Sequence, residues 1–241
     1  MPFKLIAPLP GEIQNARFDE SLIAKAAQAG PAASIWEAPQ GLVVPRTYRR
    51  HESFDAVCAQ FANDSWPITV RLSGGGVVPQ GPGIVNLSLA YAIDGPPLQH
   101  SDQAYRLICT LIQNALKPCG IESRIQAVEG SFCDGRYNLA WGAQDSAKKV
   151  VGTAQLWRRV RLEHANTQVV LVHALLLVNV DVHVLTDRAN QLEQQLGSDK
   201  RYDATRIASL YECLPGLPTL TPVDFTLGLK KTLAERIKAI A

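Results

Sequence analysis

The sequence has no marked excess of charge of either sign, and it contains few cysteines. It carries 24 Lys and Arg residues against 22 Asp and Glu, a formal net charge of +2. A nucleic-acid-binding domain usually has a basic stripe, so we predict no nucleic-acid partner. The five cysteines are odd in number and lack a CxxC pair or the spacing of a zinc site. Free thiols are typical of a reducing compartment, which predicts a cytoplasmic location.

Long apolar runs and the common nucleotide-binding glycine motifs are also absent. The most apolar run, residues 169–184, is interrupted by polar residues and is shorter than the roughly 20 residues of a membrane-spanning helix. We interpret this run as a buried strand and predict no membrane association. No GxGxxG precedes a helix and no glycine loop ends in GK[ST]. Neither a dinucleotide site nor a P-loop is therefore favoured.

The remaining pattern indicates one α+β domain over residues 1–241. Hydrophobic residues make up 46% of the chain, enough for a continuous core. Apolar spacing predicts helices at 15–29 and 99–116, and the predicted strands occur in hairpin-like runs between helices. This arrangement favours a mixed β-sheet flanked by helices over a doubly wound sheet. Residues 187–241 are predicted to add C-terminal helices to the same domain, at 187–197, 205–211 and 223–240.

Three successive glycines lie between two predicted strands, 68–72 and 84–91. Glycine loses more backbone entropy on folding than any other residue, so such a run needs a reason. A loop without side chains can place its backbone N–H groups against a ligand, and Arg71 adds a nearby cation. These features favour an anionic or carbonyl-bearing ligand. The alternative is a glycine-rich connection that binds nothing.

Cys133 and the lysine pair at 148–149 are further candidates for chemistry. Cys133 lies in a predicted loop between small residues, where an accessible thiol can act as a nucleophile toward an acyl group. The alternative is a small buried hydrophobe. Lys148 and Lys149 begin an apolar strand, so alternation directs them to opposite faces and one can face a pocket and hold a carbonyl oxygen. The alternative is two solvated lysines.

Four segments, in this order, resemble the catalytic domain shared by lipoate–protein ligases, octanoyltransferases and biotin protein ligases. Residues 15–22 resemble the first-helix signature of that family, an Asn followed by an Asp-Glu pair and Leu. Residues 71–86 resemble its Arg-x-Ser-Gly-Gly-Gly-Ala-Val loop and the following Gly-x-x-Asn. Residues 149–155 are similar to Lys-Ile-x-Gly-Ser-Ala-Gln, and residues 173–181 to the His-Gly-x-Leu-Leu-x-Asp-x-Asp strand. The resemblance implies a mixed sheet flanked by helices, an apolar acyl tunnel and a catalytic lysine at Lys149.

A fifth segment distinguishes between branches of the family. Residues 130–139 resemble the Gly-Ser-Tyr-Cys-x-Gly-x-Tyr-Asp-Leu segment of cysteine-dependent octanoyl amidotransferases, which implies that Cys133 carries an acyl thioester. ATP-dependent lipoate ligases have a magnesium-associated Asp in place of Asn138. The neutral amide weakens a ligand for a hard cation. Gln80 stands where ligases often have His.

The resemblance therefore implies a specific set of site residues. The catalytic residues are Cys133 and Lys149, and no metal ligand is predicted. The residues that bind the acyl group or cofactor are Arg71, Ser73, Gly74, Gly75, Gly76, Val77, Val78, Asn86, Asn138, Gly152, Thr153, Ala154 and His173.

Our main hypothesis is an acyltransferase that moves an octanoyl or lipoyl group through a cysteine thioester to a lysine of a lipoyl-carrying protein. Lipoate or octanoate supplies the acyl group, and no cofactor is required for the transfer. The partners expected are lipoyl domains of 2-oxoacid dehydrogenases, the glycine-cleavage H protein and acyl carrier protein. One alternative is an ATP-dependent lipoate–protein ligase, which uses ATP and magnesium to form a lipoyl-adenylate. A second is a non-catalytic homologue that binds an acyl group or cofactor.

Overall fold

The computed structural model describes residues 2–7, 15–162, 165–216 and 219–240 of the chain. The strands of the described part are β1 (Lys4–Leu5), β2 (Ala32–Trp36), β3 (Gly41–Pro45), β4 (Ile68–Arg71), β5 (Val78–Gln80), β6 (Ile84–Ile93), β7 (Arg124–Ile125), β8 (Leu139–Trp141), β9 (Lys148–Leu162) and β10 (Ala165–Leu177). The α-helices are α1 (Ala16–Ala29), α2 (Phe54–Asn63), α3 (Pro97–Leu116), α4 (Val182–Gln195) and α5 (Pro222–Lys238). Short 3-10 helices occupy Arg46–Arg50, Lys117–Cys119 and Ala204–Arg206.

The strands form two sheets that mix parallel and antiparallel pairs. The larger sheet has the order β1-β2-β6-β10-β9-β8-β7, and the smaller has the order β4-β3-β5. The β1–β2 and β3–β4 pairs are parallel, whereas neighbours such as β6 and β10 are antiparallel. The predicted α+β fold with a mixed sheet flanked by helices is therefore confirmed.

Helix α1 packs against one face of the larger sheet and brings Asp19 there. Asn15 caps the helix by accepting a hydrogen bond from the Arg17 N–H, and Gly30 ends it with a φ of +88°. Leu22 and Ala26 pack against apolar side chains of β6 and β10 because they share one face of the helix. The same packing buries Asp19, one turn before Leu22, under the sheet.

The other face of the larger sheet carries the main hydrophobic cluster, which includes side chains of α3 and α5. Ile108 and Ile112 of α3 are fully buried there, and Leu229 and Leu233 of α5 join the same cluster. No helix in the described ranges is long and apolar enough to cross a membrane.

The interpretation of residues 169–184 as one strand is wrong beyond Leu177. The Gly83 carbonyl accepts hydrogen bonds from the Val178 and Asn179 N–H groups, which turns the chain away from the sheet. The Asp181 side chain then accepts from the N–H groups of His183 and Val184 and starts α4. The strand's apolar pattern continues into the helix, so the boundary is not visible in hydrophobicity alone.

The predicted C-terminal helices are confirmed in two places and wrong in one. Helices α4 and α5 overlap the predicted helices at 187–197 and 223–240, but in the 205–211 segment only a short 3-10 helix forms. After this turn, Ile207 forms an isolated parallel bridge with Lys149 of β9, and the Ala208 N–H donates to the Lys149 carbonyl at 3.0 Å. These backbone contacts fix the start of β9, where Lys149 lies.

Candidate active site

The glycine loop that follows β4 is folded around the guanidinium group of Arg71. Its Nη2 donates to the carbonyl oxygens of Gly74 and Gly76 at 2.9 and 2.8 Å, and its Nη1 donates to the Val43 carbonyl at 3.4 Å. Arg71 is only 4% exposed, and burial lowers its pKa. An arginine keeps its charge at neutral pH even so. The loop is thus fixed on a buried cation.

Gly75 allows the loop to approach the candidate nucleophile closely. Its φ is +105°, and a Cβ at this position would lie 2.6 Å from the Cys133 Sγ and 3.1 Å from the Arg71 Nη2. No residue with a side chain fits in this space. The next residue, Gly76, donates its N–H to the Cys133 Sγ at 3.4 Å. The thiol therefore lies against the middle of the glycine loop.

Cys133 adopts an uncommon backbone conformation that the surrounding residues stabilise. Its φ is +51°, in the left-handed region that few residues with side chains enter. Its carbonyl oxygen accepts hydrogen bonds from the Gly135 N–H at 2.9 Å, the Asn138 Nδ2 at 3.0 Å and the Lys149 Nζ at 2.8 Å. Strain held in place by several contacts is frequent at functional sites.

Lys149 is fully buried, whereas Lys148 is partly exposed. The Lys149 ammonium donates to the carbonyl oxygens of Phe132 and Cys133 at 2.6 and 2.8 Å, and it lies 5.2 Å from the centre of the Phe132 ring. Burial lowers the pKa of Lys149 to about 8. Its position depends on Gly152, where a Cβ would lie 3.0 Å from the Nζ. An ammonium has three N–H donors, so one remains beyond these two carbonyl contacts.

The electrostatics of the site favour the thiolate form of Cys133. Burial raises the thiol pKa, but the charges of Lys149 and Arg71 and the Gly76 N–H lower it by more, against a smaller opposing effect of Asp134. The net pKa lies below the ordinary value of 9.0. A thiolate is the reactive form of cysteine, so this environment raises the fraction of reactive sulfur at a given pH.

Asn138 is buried and supports the Cys133 loop. Its Nδ2 donates to the Cys133 carbonyl at 3.0 Å, and its Oδ1 accepts from the Thr153 N–H at 3.4 Å. Both ends of the amide therefore bond to protein groups. At this position the ligase alternative needs a carboxylate for magnesium, and a buried amide with its oxygen already engaged does not fit that role.

A narrow slot lies beside Cys133, with about 510 Å³ of atom-free space that is partly open to solvent. It is lined by Ala16, Asp19, Trp36, Val43, Arg71, Val78, Gln80, Asn86, Cys133, Lys149, Gly152, Thr153, Ala154, His173 and Leu175. The resemblance implied an apolar tunnel. The slot has apolar surfaces, but polar and charged side chains also contribute to its wall.

A wider cavity, with about 1150 Å³ of atom-free space that is partly open to solvent, also adjoins Cys133. It is lined by Gly74, Gly75, Gly76, Tyr105, Gly130, Ser131, Cys133, Asp134, Gly135, Thr153, Ala154, Gln155, Lys200, Arg201 and Tyr202. Cys133, Thr153 and Ala154 line both spaces. The thiol therefore lies at the junction between a narrow slot and an open cavity.

His173 connects the first helix to the glycine loop. Its Nε2 lies 2.9 Å from the Ser73 Oγ, and its Nδ1 lies 3.6 Å from the Asp19 Oδ2. Burial, reinforced by the charge of Arg71, lowers the pKa of His173 to about 3, so the imidazole is neutral at pH 7. The Asp19 carboxyl also accepts from Trp36 and Ser88, yet burial raises its pKa to about 7.

The predicted site residues converge on these two spaces, with three exceptions. Ser73 contacts His173, Val77 packs in a hydrophobic cluster, and Asn138 supports the Cys133 loop, but none of the three lines the slot or the cavity. The glycines at 74–76 line the cavity, while Val78, Asn86 and Gly152 line the slot.

Sequence reasoning assigned no individual role to several residues that line these spaces, namely Asp19, Trp36, Gln80, Tyr105 and Tyr202. Asp19 is part of the first-helix signature, and its acidic side chain on the apolar face of a helix was an available signal. Tyr202 gave no signal, because it follows α4 in a loop far along the chain from the motifs. Across the described part of the chain, no group of three or more His, Cys, Asp or Glu side chains is arranged to hold a metal ion.

Comparison with known proteins identifies relatives by sequence. The family model described as the lipoyl protein ligase A/B catalytic domain matches residues 13–233. An uncharacterised protein of Cupriavidus necator is 46% identical over 221 residues, which cover 89% of this chain and 87% of that protein. An octanoyl-[GcvH]:protein N-octanoyltransferase of Kyrpidia tusciae is 32% identical over 157 residues, 64% of this chain and 51% of that enzyme. The match to the octanoyltransferase thus spans about half of its length.

Solved structures share the fold at low sequence identity. Lipoate-protein ligase A bound with ATP gives a TM-score of 0.66 at 16% identity, covering 98% of this chain and 86% of that one. A bipartite lipoate protein ligase of Thermoplasma acidophilum, studied with its E2 lipoyl domain, gives 0.59 at 14% identity, covering 98% and 84%. At these identities the likeness concerns the fold alone.

Proposed function

Because the chain belongs to the lipoyl protein ligase A/B catalytic-domain family, we propose that it transfers an octanoyl or lipoyl group through a thioester on Cys133 to a lysine of a lipoyl-carrying protein. The observation that carries this proposal is the position of the thiol. Cys133 lies at the junction of the slot and the open cavity, where Lys149, Arg71 and the Gly76 N–H lower its pKa. We assign the acyl chain to the slot and the approach of the two protein partners to the cavity.

In the first step the Cys133 thiolate attacks the acyl carbonyl carbon of the donor. A carbon–sulfur bond forms, and the bond from that carbon to the donor's sulfur or lysine nitrogen breaks. The leaving group takes up a proton. The Cys133 thioester then holds the acyl group while the donor departs through the cavity.

In the second step a lysine amine of the acceptor protein attacks the thioester. A carbon–nitrogen bond forms, the carbon–sulfur bond breaks, and Cys133 returns to its thiolate form. The acceptor nitrogen loses a proton. A thioester reacts readily with an amine, so splitting the transfer into two steps lowers the barrier of each.

Lys149 has two roles in this proposal. Its charge lowers the thiol pKa, and its remaining N–H is available to the oxyanion that develops when the carbonyl is attacked. The sequence predicted that the backbone N–H groups of the glycine loop face an anionic or carbonyl-bearing ligand. The Gly76 N–H instead faces the sulfur at 3.4 Å, so we assign it to the thiolate.

The transfer is proposed to need no cofactor, and Asn138 supports this view. The amide is neutral, turned toward the Cys133 loop and bonded at both ends, so it is a poorer ligand for a magnesium ion than a carboxylate. The name of the Kyrpidia tusciae relative, octanoyl-[GcvH]:protein N-octanoyltransferase, also supports transfer over ligation.

The proposed partners follow from the family. The donor is octanoyl acyl carrier protein or an octanoylated or lipoylated glycine-cleavage H protein, and the acceptor is a lipoyl domain of a 2-oxoacid dehydrogenase. The GcvH in the name of one relative and the E2 lipoyl domain studied with another support these carriers. A cytoplasmic location remains part of the proposal.

The direct test offers each donor to the purified protein together with an isolated lipoyl domain, and measures the mass of that domain. We expect octanoyl transfer without ATP or magnesium from at least one of octanoyl acyl carrier protein and octanoyl H protein. Cys133→Ser abolishes the transfer. Cys58→Ser is the matched control, because Cys58 is another partly exposed thiol but burial raises its pKa.

Two other results would contradict the proposal. Modification only with lipoate, ATP and magnesium, also in Cys133→Ser, would identify an ATP-dependent ligase. Binding of octanoate without transfer under any of these conditions would identify a non-catalytic homologue.

A further inference from the structure

Another cavity, here called the second cavity and distinct from the wider cavity at Cys133, shares part of its wall with the acyl slot. It has about 420 Å³ of atom-free space and is lined by Asn15, Ala38, Pro39, Gln40, Gly41, Leu42, Val43, Pro67, Thr69 and Gln80. Half of these residues are apolar, so a hydrocarbon chain would be favourably buried there. Two of them, Val43 and Gln80, also line the slot. These two side chains therefore stand between the slot and the second cavity.

The Gln80 side chain is held rigidly in this position. Its Nε2 donates to the Asn86 Oδ1 at 2.9 Å, and its Oε1 accepts from the Asn86 Nδ2 at 2.9 Å. Its backbone is also fixed, because β5 pairs with β3 and places Gln80 opposite Gly41. Gln80 is only 6% exposed. To displace it, a ligand would have to leave two buried amides without partners, which is unfavourable.

We propose that Gln80 sets the length of the acyl group that the slot accepts, because its side chain separates the slot from the second cavity. A medium-chain acyl group ends before Gln80, and a longer one meets the locked amide pair. The inference rests on the proposed function in one respect, that the slot is where the acyl chain lies. It assigns a specificity role to a residue that takes no part in bond formation.

The experiment measures non-covalent binding of free fatty acids to the intact protein, so it does not depend on Cys133 chemistry. Octanoic, decanoic, dodecanoic and tetradecanoic acid are compared by isothermal titration calorimetry or native mass spectrometry. In the wild type, affinity is expected to fall by about tenfold or more once the chain reaches Gln80, since forcing extra methylenes into a packed site is costly. In Gln80→Ala, the ratio of tetradecanoic to octanoic affinity should rise by about tenfold, because the chain can continue into the second cavity.

The matched control is Gln80→Met, which keeps the length and approximate volume of the side chain. Both variants leave Asn86 without its partner, so any general loosening of the site affects them equally. Gln80→Met lacks the amide pair but keeps the bulk of the side chain, so it is expected to retain most of the wild-type chain-length limit. Val43→Ala, which thins the same wall without breaking the amide pair, should shift the limit in the same direction as Gln80→Ala and serves if that variant does not fold.

A wild type that binds all four acids equally would overturn the inference, as would the same affinity ratio in Gln80→Ala and Gln80→Met. A limit that moves in Gln80→Ala but not in Gln80→Met supports it, even if no thioester ever forms on Cys133. In that case the proposed transfer fails and the length control stands. If the wild type instead formed thioesters with acyl chains of every length, the proposed transfer would stand and the length control would fail.

Discussion

The ammonium nitrogen of Lys149 lies 2.8 Å from the carbonyl oxygen of Cys133. The cation is thus anchored on the backbone of the residue whose thiol it activates. Because the Phe132 carbonyl holds the same ammonium at 2.6 Å, the position of the charge is fixed before any substrate binds. A fixed charge in a site that excludes water needs little reorganisation during the reaction.

Lys149→Met should raise the pKa of the Cys133 thiol, since it removes the larger of the two cationic effects on that group. We expect alkylation of Cys133 by iodoacetamide at pH 7 to slow by about 10- to 100-fold, the size of effect that one nearby charge exerts on a pKa. The rate is followed by peptide mass spectrometry. Lys148→Met is the control, because Lys148 is partly exposed. Equal alkylation rates in the two variants would show that Lys149 does not activate the thiol.

Formation of the thioester should have a bell-shaped pH dependence. The rate rises with pH as Cys133 loses its proton, at a pH below the ordinary thiol value of 9.0. It falls again above about pH 8, where Lys149 loses the positive charge that stabilises the thiolate and the oxyanion. The measurement is the initial rate of thioester formation from an octanoyl donor, without an acceptor protein. A rate that climbs steadily through pH 9 would exclude a charged Lys149 from the mechanism.

Gly75→Ala should nearly abolish acylation, and Gly74→Ala should affect it far less. A Cβ at Gly75 meets the Cys133 Sγ at 2.6 Å and would occupy a strained backbone conformation, whereas a Cβ at Gly74 has nothing within 4 Å. We expect the rate of acylation to fall by about 100-fold or more in Gly75→Ala, because a displacement of a reactive group by about 1 Å can reduce a rate by about that factor. Similar losses in both variants would mean that the loop tolerates a side chain at neither position. The close contact between Gly75 and the thiol would then not explain the loss.

Asp19→Asn should stabilise the protein at alkaline pH. The carboxyl pKa is about 7 in the folded protein against an ordinary 3.8, with burial as the main cause. The folded state therefore binds this proton more tightly than the unfolded state does. The stability that the bound proton contributes is lost as pH rises through about 7. The gain in Tm of Asp19→Asn over the wild type should grow as pH rises from the ordinary carboxyl value of 3.8 to about 7 and stay constant above that, by about 2–4 °C for each kcal/mol.

Ser88→Ala is a useful comparison at the same site. It removes a hydrogen bond that favours the ionised Asp19 but leaves the carboxyl buried. The pH dependence of its Tm should be steeper than in the wild type. A Tm difference for Asp19→Asn that does not change with pH would show that Asp19 does not titrate in this range.

The fold class and the meeting of Cys133 with Lys149 could both be predicted from the sequence. The two residues are 16 positions apart, and the hairpin of β8 and β9 that brings them together was visible as two apolar runs around a polar turn. The glycine run marked the loop that touches the thiol. In each case the signal is local, in spacing or composition, and the structure places the feature where that signal indicates.

The parts that could not be predicted depend on tertiary contacts. Residues 205–211 have helical spacing, but the helix stops after one 3-10 turn because Ile207 and Ala208 pair with the backbone of Lys149. The short strand β5 is only three residues long, and it forms because β3 offers it an edge. The Gln80–Asn86 pair joins side chains six residues apart in different sheets, and neither spacing nor propensity predicts such a contact.

The most direct test of the thioester mechanism is the mass of the Cys133 peptide after incubation with octanoyl acyl carrier protein or octanoyl H protein, without an acceptor. We predict the addition of one octanoyl group to that peptide, its removal by neutral hydroxylamine, and its absence from Cys133→Ser. An unmodified Cys133 under conditions in which the octanoyl group still reaches a lipoyl-domain lysine would contradict the thioester mechanism.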